Sequence, residues 1–145
     1  MKVLIAGSSG LIGTALAERL TADGDEVVRL VRRPARSSGE ITWDPDTVTL
    51  DPQALDGVDA VVNLAGAGIG DRRWTDAYKR LLVSSRVNAT RTLVDAMLAA
   101  DRPPRVLVNA SAEGYYGDRG EDVLTEQSPA GQGFTSELCL AWEAE

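Results

Sequence analysis

The stretch Met1–Gly13, Met-Lys-Val-Leu-Ile-Ala-Gly-Ser-Ser-Gly-Leu-Ile-Gly, narrows most what this chain can fold into. Lys2–Ala6 is a short apolar run of the kind that forms a strand buried on both faces, and such strands belong to parallel sheets. Gly7, Gly10 and Gly13 follow at intervals of three, and the chain then takes up a helical period. A strand, a tight glycine turn and a helix N-terminus make a phosphate cradle, because free backbone N–H groups and the positive end of the helix dipole converge there. Gly7 then makes the turn, Gly10 lets the backbone approach a pyrophosphate, and Gly13 allows close packing of helix on strand. Ser8 and Ser9 add hydroxyl donors, and Leu11 and Ile12, between the last two glycines, complete this candidate cofactor-binding segment.

Leu11, Ile12, Ala15, Leu16 and Leu20 fall on one helical face, with Glu18, Arg19 and Asp23 outside, and Gly24 is the expected stop. Glu26–Val31 is a second strand, closing a β-α-β unit of about thirty residues. The residues at its end choose the dinucleotide. An acid about 20 residues after the glycines holds the ribose 2′-hydroxyl of NAD, whereas arginine accommodates a 2′-phosphate. Arg32 and Arg33 stand at that position, so NADP is the expected cofactor and NAD the weaker candidate.

Pro34–Asp51 is less regular. Arg36-Ser-Ser-Gly39 reads as a surface loop, and Ile41–Trp43 and Thr47–Leu50 as two short strands around Asp44-Pro-Asp46. There is room for a small hairpin but not for a second crossover helix. Asp59–Leu64 is another buried strand, ending in Ala65-Gly-Ala-Gly68. Small residues at the carboxyl end of a parallel strand lie where open α/β sheets bind ligands, so Leu64, Ala65 and Gly66 join the candidate cofactor-binding residues.

Asp71-Arg-Arg-Trp74 leads into a long helix over residues 75–100, with Tyr78, Leu82, Ala89, Leu93 and Met97 as its apolar stripe. That helix is also the expected surface for a homodimer. Asn88, on or near the stripe, reads as a packing or bridging residue. Asp101-Arg-Pro-Pro104 ends the helix and Arg105–Ala110 is the next strand. Ser111-Ala-Glu-Gly-Tyr-Tyr-Gly117 follows, placing hydroxyl, carboxylate and phenol groups at the carboxyl edge of the sheet, over the expected cofactor. Ser111, Tyr115 and Tyr116 are the candidate catalytic residues, with Glu113 as a substitute base. A helical pattern starts at Phe134 and still runs at Glu145, which reads as the N-terminal part of a longer protein.

Composition removes several alternatives. The 145 residues make one domain, 1–145, with 43% apolar residues to form a core. A net charge of -7 argues against nucleic acid or an anionic membrane as partner. There is no histidine, which excludes Ser-His-Asp and Cys-His catalysis, and with the single cysteine, Cys139, no metal site is expected. One cysteine cannot form an internal disulfide, the first apolar run is too short for a signal peptide, and no run approaches membrane-spanning length. A cytoplasmic protein acting on a small-molecule substrate is expected.

The motifs Gly7-x-x-Gly10-x-x-Gly13, Asp59-Ala-Val-Val-Asn-Leu-Ala-Gly66, Asn88-Ala-Thr-Arg-Thr-Leu93 and Ser111–Gly117 resemble the extended or atypical short-chain dehydrogenase/reductases, as in NAD-dependent epimerase/dehydratase proteins. More narrowly, Arg73-Trp-Thr75, Ser111–Gly117 and Glu137-Leu-Cys-x-x-Trp-Glu143 resemble a bacterial sugar-nucleotide epimerase-like subgroup. The resemblance implies a Rossmann domain followed by a smaller C-terminal substrate domain, before which this chain stops. It also implies hydride exchange between bound NAD(P) and a carbonyl or nucleotide-sugar substrate, served by a serine and a Tyr-x-x-x-Lys pair. In such a pair the lysine eases ionisation of the tyrosine, which acts as acid or base. Here the tyrosine position is Phe134 and the lysine position Leu138, and Ser111 or Ala112 takes the serine slot. Two readings stay open: an NADP-dependent reductase or epimerase using Ser111 and the Tyr115-Tyr116 pair, and an NADP-binding sensor or scaffold without turnover.

The expected fold is a three-layer α/β Rossmann fold with a doubly wound parallel sheet in the order 3-2-1-4-5. Its expected core is Val3, Ile5, Leu16, Leu20, Val28, Leu30, Val61, Leu64, Leu82, Leu93, Val106 and Val108.

Overall fold

Five short apolar segments pair side by side, all parallel, into one sheet. They are β1 (Lys2–Ala6), β2 (Glu26–Val31), β3 (Glu40–Thr42), β4 (Ala60–Asn63) and β5 (Val106–Asn109). The computed structural model describes residues 1–145 and orders the strands β3-β2-β1-β4-β5, the expected 3-2-1-4-5. The register sets Val3 beside Val27 on one side and Ala60 on the other, and Val61 beside Leu107. Parallel pairing requires crossovers, and these bring α1 (Leu11–Ala22) to one face and α2 (Asp76–Ala99) with α3 (Phe134–Glu143) to the other.

Alternation along the strands divides the core. Leu4, Ala6, Val28, Leu30 and Val61 pack with Ala89, Leu93 and Ala96 of α2. Val3 and Ile5 point the other way, onto Ala17 of α1, with Leu16, Leu20, Val62 and Leu64 around them. A third cluster joins α2 to α3 through Tyr78, Leu82, Leu138, Cys139 and Trp142. Thr75 caps α2, its hydroxyl accepting the Tyr78 N–H at 3.2 Å.

Four local expectations need correction. Val106 and Val108 are not core: they are 49% and 52% exposed. Register places them beside Ala60 and Val62 on the α1 face, and α1 covers β1 and β2 but stops short of β5. Leu11 and Ile12 are exposed as well, because they open the first turn of α1, and Gly13 and Ala17 make its buried contact instead. Of the two expected strands around Asp44-Pro-Asp46, the first is β3 at the sheet edge, but the second does not form. Asp44 and Thr49 close a tight turn by paired backbone hydrogen bonds of 3.0 and 2.9 Å, with Val48 in the left-handed region at φ 53°. The last helix ends at Glu143 and does not run on through Glu145.

Candidate active site and dinucleotide cleft

The carboxyl ends of β1, β2 and β4 open onto one cleft of about 730 Å³, within the range of small-molecule sites. Its floor is the glycine turn. Gly7 takes φ 78°, and a Cβ there would lie 2.5 Å from the Leu64 carbonyl oxygen, so only glycine fits between β1 and β4. Gly13 is fixed by packing: a Cβ would sit 2.3 Å from the Gly7 oxygen. Gly10 differs from both, since its nearest neighbour would be 3.4 Å away. Space around Gly10 is therefore left open on the cleft side.

Gly10 caps α1 without any side-chain hydrogen bond, and no acidic residue occupies the first turn. The N-terminal amides and the positive helix end are thus uncompensated at the cleft, which suits an anionic diphosphate. Of the candidate cofactor-binding residues, Gly7, Ser8, Ser9, Gly10, Arg32, Arg33, Leu64, Ala65 and Gly66 line the cleft. Leu11, Ile12 and Gly13, which open α1, do not line it.

The two arginines are not equivalent. Arg33 is held by Glu40 through two hydrogen bonds, 2.8 Å from Nη1 and 2.6 Å from Nη2, and Glu40 also accepts the Arg36 amide at 2.8 Å. Hydrogen bonding from Arg33 and then from the Arg36 amide lowers the Glu40 carboxyl to a pKa of about 2. Arg32 forms no ion pair or side-chain hydrogen bond and reaches the cleft wall free. Trp43, Pro45 and Asp46 close the cleft beyond it.

The opposite wall is the loop over residues 65–75 together with the first turns of α2. Ala67 donates its N–H to Ser85 Oγ at 3.0 Å, Tyr78 donates its hydroxyl to the Gly68 carbonyl at 2.5 Å, and Trp74 donates its indole N–H to Ile69 O at 2.8 Å. Three bonds to α2 and its approach therefore hold a loop that small residues alone would leave loose. Asp71, Arg72, Tyr78, Leu81 and Ser85 line the cleft here, and sequence reasoning missed all five. Only a basic pair before a helix cap hinted at them.

Gly66 has a second constraint. A Cβ there would come within 3.1 Å of the Arg86 side chain, which passes behind the β4 end. The Arg86 guanidinium lies 5.3 Å over the Trp142 ring and donates to Leu82 O at 3.0 Å, with no carboxylate partner. Burial lowers its pKa from the usual guanidinium value. Beneath it lies a buried polar network also missed from sequence. Asn63 donates to Asn109 Oδ1 at 2.6 Å and to Thr90 Oγ1 at 3.1 Å, and Trp142 donates its indole N–H to Thr90 Oγ1 at 3.0 Å. One threonine hydroxyl thus links β4, β5, α2 and α3.

Beyond β5, Ser111 donates to the Glu143 carboxylate, and the Tyr115 and Tyr116 rings meet edge to face at 5.2 Å. The loop backbone is pinned to the start of α3: Gly131 N–H and Ser136 Oγ both donate to Tyr115 O, at 2.9 and 2.8 Å. Ser111, Tyr115 and Tyr116 are near one another but do not line the dinucleotide cleft. Glu113 is exposed. Phe134 packs its ring 5.4 Å from Trp74, with the Lys79 ammonium 5.4 Å over its face, and Leu138 is 3% exposed inside the α2–α3 cluster. Burial raises the pKa of the neighbouring Cys139 thiol. No group of side chains forms a metal site, and no helix is long and apolar enough to cross a membrane.

Comparison with known proteins agrees with this geometry. The profile of the NAD dependent epimerase/dehydratase family matches residues 3–136. Epimerase family protein Mb2239 of Mycobacterium bovis is 48% identical over 141 residues, 97% of this chain but 46% of its own length. The crystal structure of human epimerase family protein SDR39U1 (isoform 2) with NADPH superposes with a TM-score of 0.87 at 37% identity, over 99% of this chain and 48% of that one. A nucleoside-diphosphate sugar epimerase from Corynebacterium glutamicum gives 0.83 at 38% identity, covering 99% of this chain and 29% of that one. The chain spans about half the length of the curated relatives it matches.

Proposed function

The chain belongs to the NAD dependent epimerase/dehydratase family, and from that membership we propose that it is the NADP-binding part of an oxidoreductase or sugar-nucleotide epimerase-like protein. One observation carries the proposal. A glycine cradle with uncompensated helix-end amides faces a free guanidinium, Arg32, along a single cleft. Gly7, Ser8, Ser9 and Gly10 would hold the diphosphate, Arg32 the 2′-phosphate, and Leu64, Ala65 and Gly66 the backbone wall beside it. The nicotinamide supplies hydride exchange when bound. The human relative crystallised with NADPH supports that choice of cofactor.

The remaining chemistry falls to this chain's own groups. Ser111 and the phenols of Tyr115 and Tyr116 are the proton-bearing groups gathered at the β5 end, and a carbonyl or nucleotide-sugar substrate would accept a proton from them. No lysine stands at position 138 to stabilise a phenolate, so a tyrosine here serves better as acid than as base, favouring carbonyl reduction. The Corynebacterium relative, a sugar-nucleotide epimerase by name, supports that substrate class. Self-association through residues 75–100 belongs to the same proposal: Leu81 and Leu98 of α2 are 43% and 81% exposed.

A second reading, a non-catalytic NADP-binding sensor or scaffold, draws on Phe134 and Leu138, both committed to packing. The two readings separate experimentally. The full chain is titrated with NADPH, then offered carbonyl compounds and nucleotide sugars while NADPH oxidation is followed. Turnover that falls with Ser111→Ala, Tyr115→Phe or Tyr116→Phe establishes the enzyme. Unchanged rates in all three displace the catalytic loop, and binding without oxidation by any substrate leaves the sensor.

A further inference from the structure

We infer that Arg32 alone reads the 2′-phosphate, and that Glu40 sets this selectivity by taking Arg33 out of the site. The inference rests on the NADP reading above and divides a role that the sequence assigns to both arginines. Both residues line the cleft. Only one is free. Arg33 Nη1 and Nη2 each donate to a separate Glu40 oxygen, at 2.8 and 2.6 Å, and Nη1 also donates to Pro34 O at 3.0 Å. A planar guanidinium engaged along one edge by a carboxylate is charge-neutralised as well as oriented.

Glu40 is well placed for this. It is the first residue of β3, its side chain is 15% exposed, and it accepts the Arg36 amide at 2.8 Å, so its carboxylate is fixed by the strand and the loop together. To turn its engaged edge to a phosphate Arg33 would have to break two charge-assisted bonds, and the Nε edge left over carries a charge that Glu40 already balances. Arg32 gives up nothing, since it makes no such bond. Arg36 does not line the cleft, and Asp46 is the carboxylate that does so at this end.

The test compares the ratio of NADH to NADPH dissociation constants in the full chain and its variants, with folding checked by circular dichroism. Loss of a charge-assisted contact of about 1.5–3 kcal/mol corresponds to roughly tenfold or more, so Arg32→Ala should cut the ratio by at least that factor. Arg33→Ala and Arg33→Gln should leave it within about threefold of the parent, which is less than the loss of one neutral hydrogen bond. Glu40→Gln removes the charge that holds Arg33 but keeps an acceptor for the Arg36 amide, and should raise the ratio twofold or more, on the order of a weak added contact. If either Arg33 variant drops the ratio as far as Arg32→Ala, or Arg32→Ala leaves it unchanged, the division of roles is overturned. A ratio that does not rise in Glu40→Gln removes Glu40 from it. Equal affinities in the parent overturn the inference but not the cofactor site, whereas no binding of either dinucleotide overturns the NADP reading itself.

Discussion

Replacing Gly13 and Gly10 by alanine separates the fold from the site within one motif. At Gly13 two effects oppose each other. Alanine inside a helix is favoured over glycine by about 1 kcal/mol. Against that, the new Cβ would lie 2.3 Å from Gly7 O, 2.8 Å from Ser8 Cα and 3.0 Å from Gly7 C. Overpacking typically costs about 1–3 kcal/mol even where side chains yield, and these atoms are backbone. They also cannot retreat cheaply, because the Gly7–Ser8 turn abuts Leu64 and Ser8 is 8% exposed. The clash should win, with a net loss of up to about 2 kcal/mol, seen as a melting temperature lower by up to roughly 6 °C for a chain of this size. At Gly10 the nearest atom to a Cβ would be 3.4 Å away, ordinary contact. Gly10→Ala should therefore cost no more than about 1 kcal/mol, the loss expected for alanine at an N-cap, while its methyl group blocks the cleft, lowering NADPH affinity about tenfold or more. Thermal unfolding by circular dichroism and NADPH titration read the two outcomes. A Gly13→Ala chain that melts at or above the parent temperature, or a Gly10→Ala chain that loses more stability than that and keeps its affinity, would refute this separation.

Thr90→Val should destabilise the chain by about 1–3 kcal/mol in urea unfolding, because it leaves the buried Trp142 indole N–H unpaired; a change near zero would mean the indole finds another acceptor. The Glu40 carboxyl, lowered to about 2 from an ordinary 4.5, contributes stability that is present above pH 4.5 and lost as pH falls through about 2. Carboxyl NMR should place its midpoint near that lower value, and Glu40→Gln should flatten the stability profile between the two pH values. Cys139, 1% exposed with its thiol pKa raised by burial, should react slowly with a thiol reagent at pH 8 in the native chain and rapidly in denaturant. Fast native reaction would show that α3 opens from α2.

The β1–turn–α1–β2 unit was legible because each signal in it is local: an apolar run, three spaced glycines, then a change of period. What escaped the sequence depends on contacts across space. The Val106–Val108 run is apolar throughout, and nothing in it tells that α1 leaves Val106 and Val108 uncovered. Arg32 and Arg33 look alike until Glu40, seven residues on, proves to sit at the β3 start facing only the second of them. The cleft wall at Asp71 and Arg72 comes from a loop whose course is set by bonds to Ser85 and Tyr78 of α2, which no periodicity announces. Asn63 and Asn109 could have been found, since two asparagines ending strands read as adjacent are placed to share their hydrogen bonds.

The apolar residues at positions 134 and 138 have a physical role in this setting. A tyrosine and lysine there would need solvent or a ligand for their polar ends. Phe134 instead presents an apolar ring to Trp74 and the Lys79 ammonium, and Leu138 fills the space between Tyr78, Leu82 and Trp142. The α2–α3 contact is thereby packed as core, and cations reach it from α2, as Lys79 and Arg86, while α3 supplies none. Restoring Phe134→Tyr and Leu138→Lys together would bury an ammonium among apolar side chains, a change that costs more than the phenol could return. On the enzymatic reading proposed above, proton transfer would fall to the β5 end, where Ser111, Tyr115 and Tyr116 are not among the buried side chains of that core.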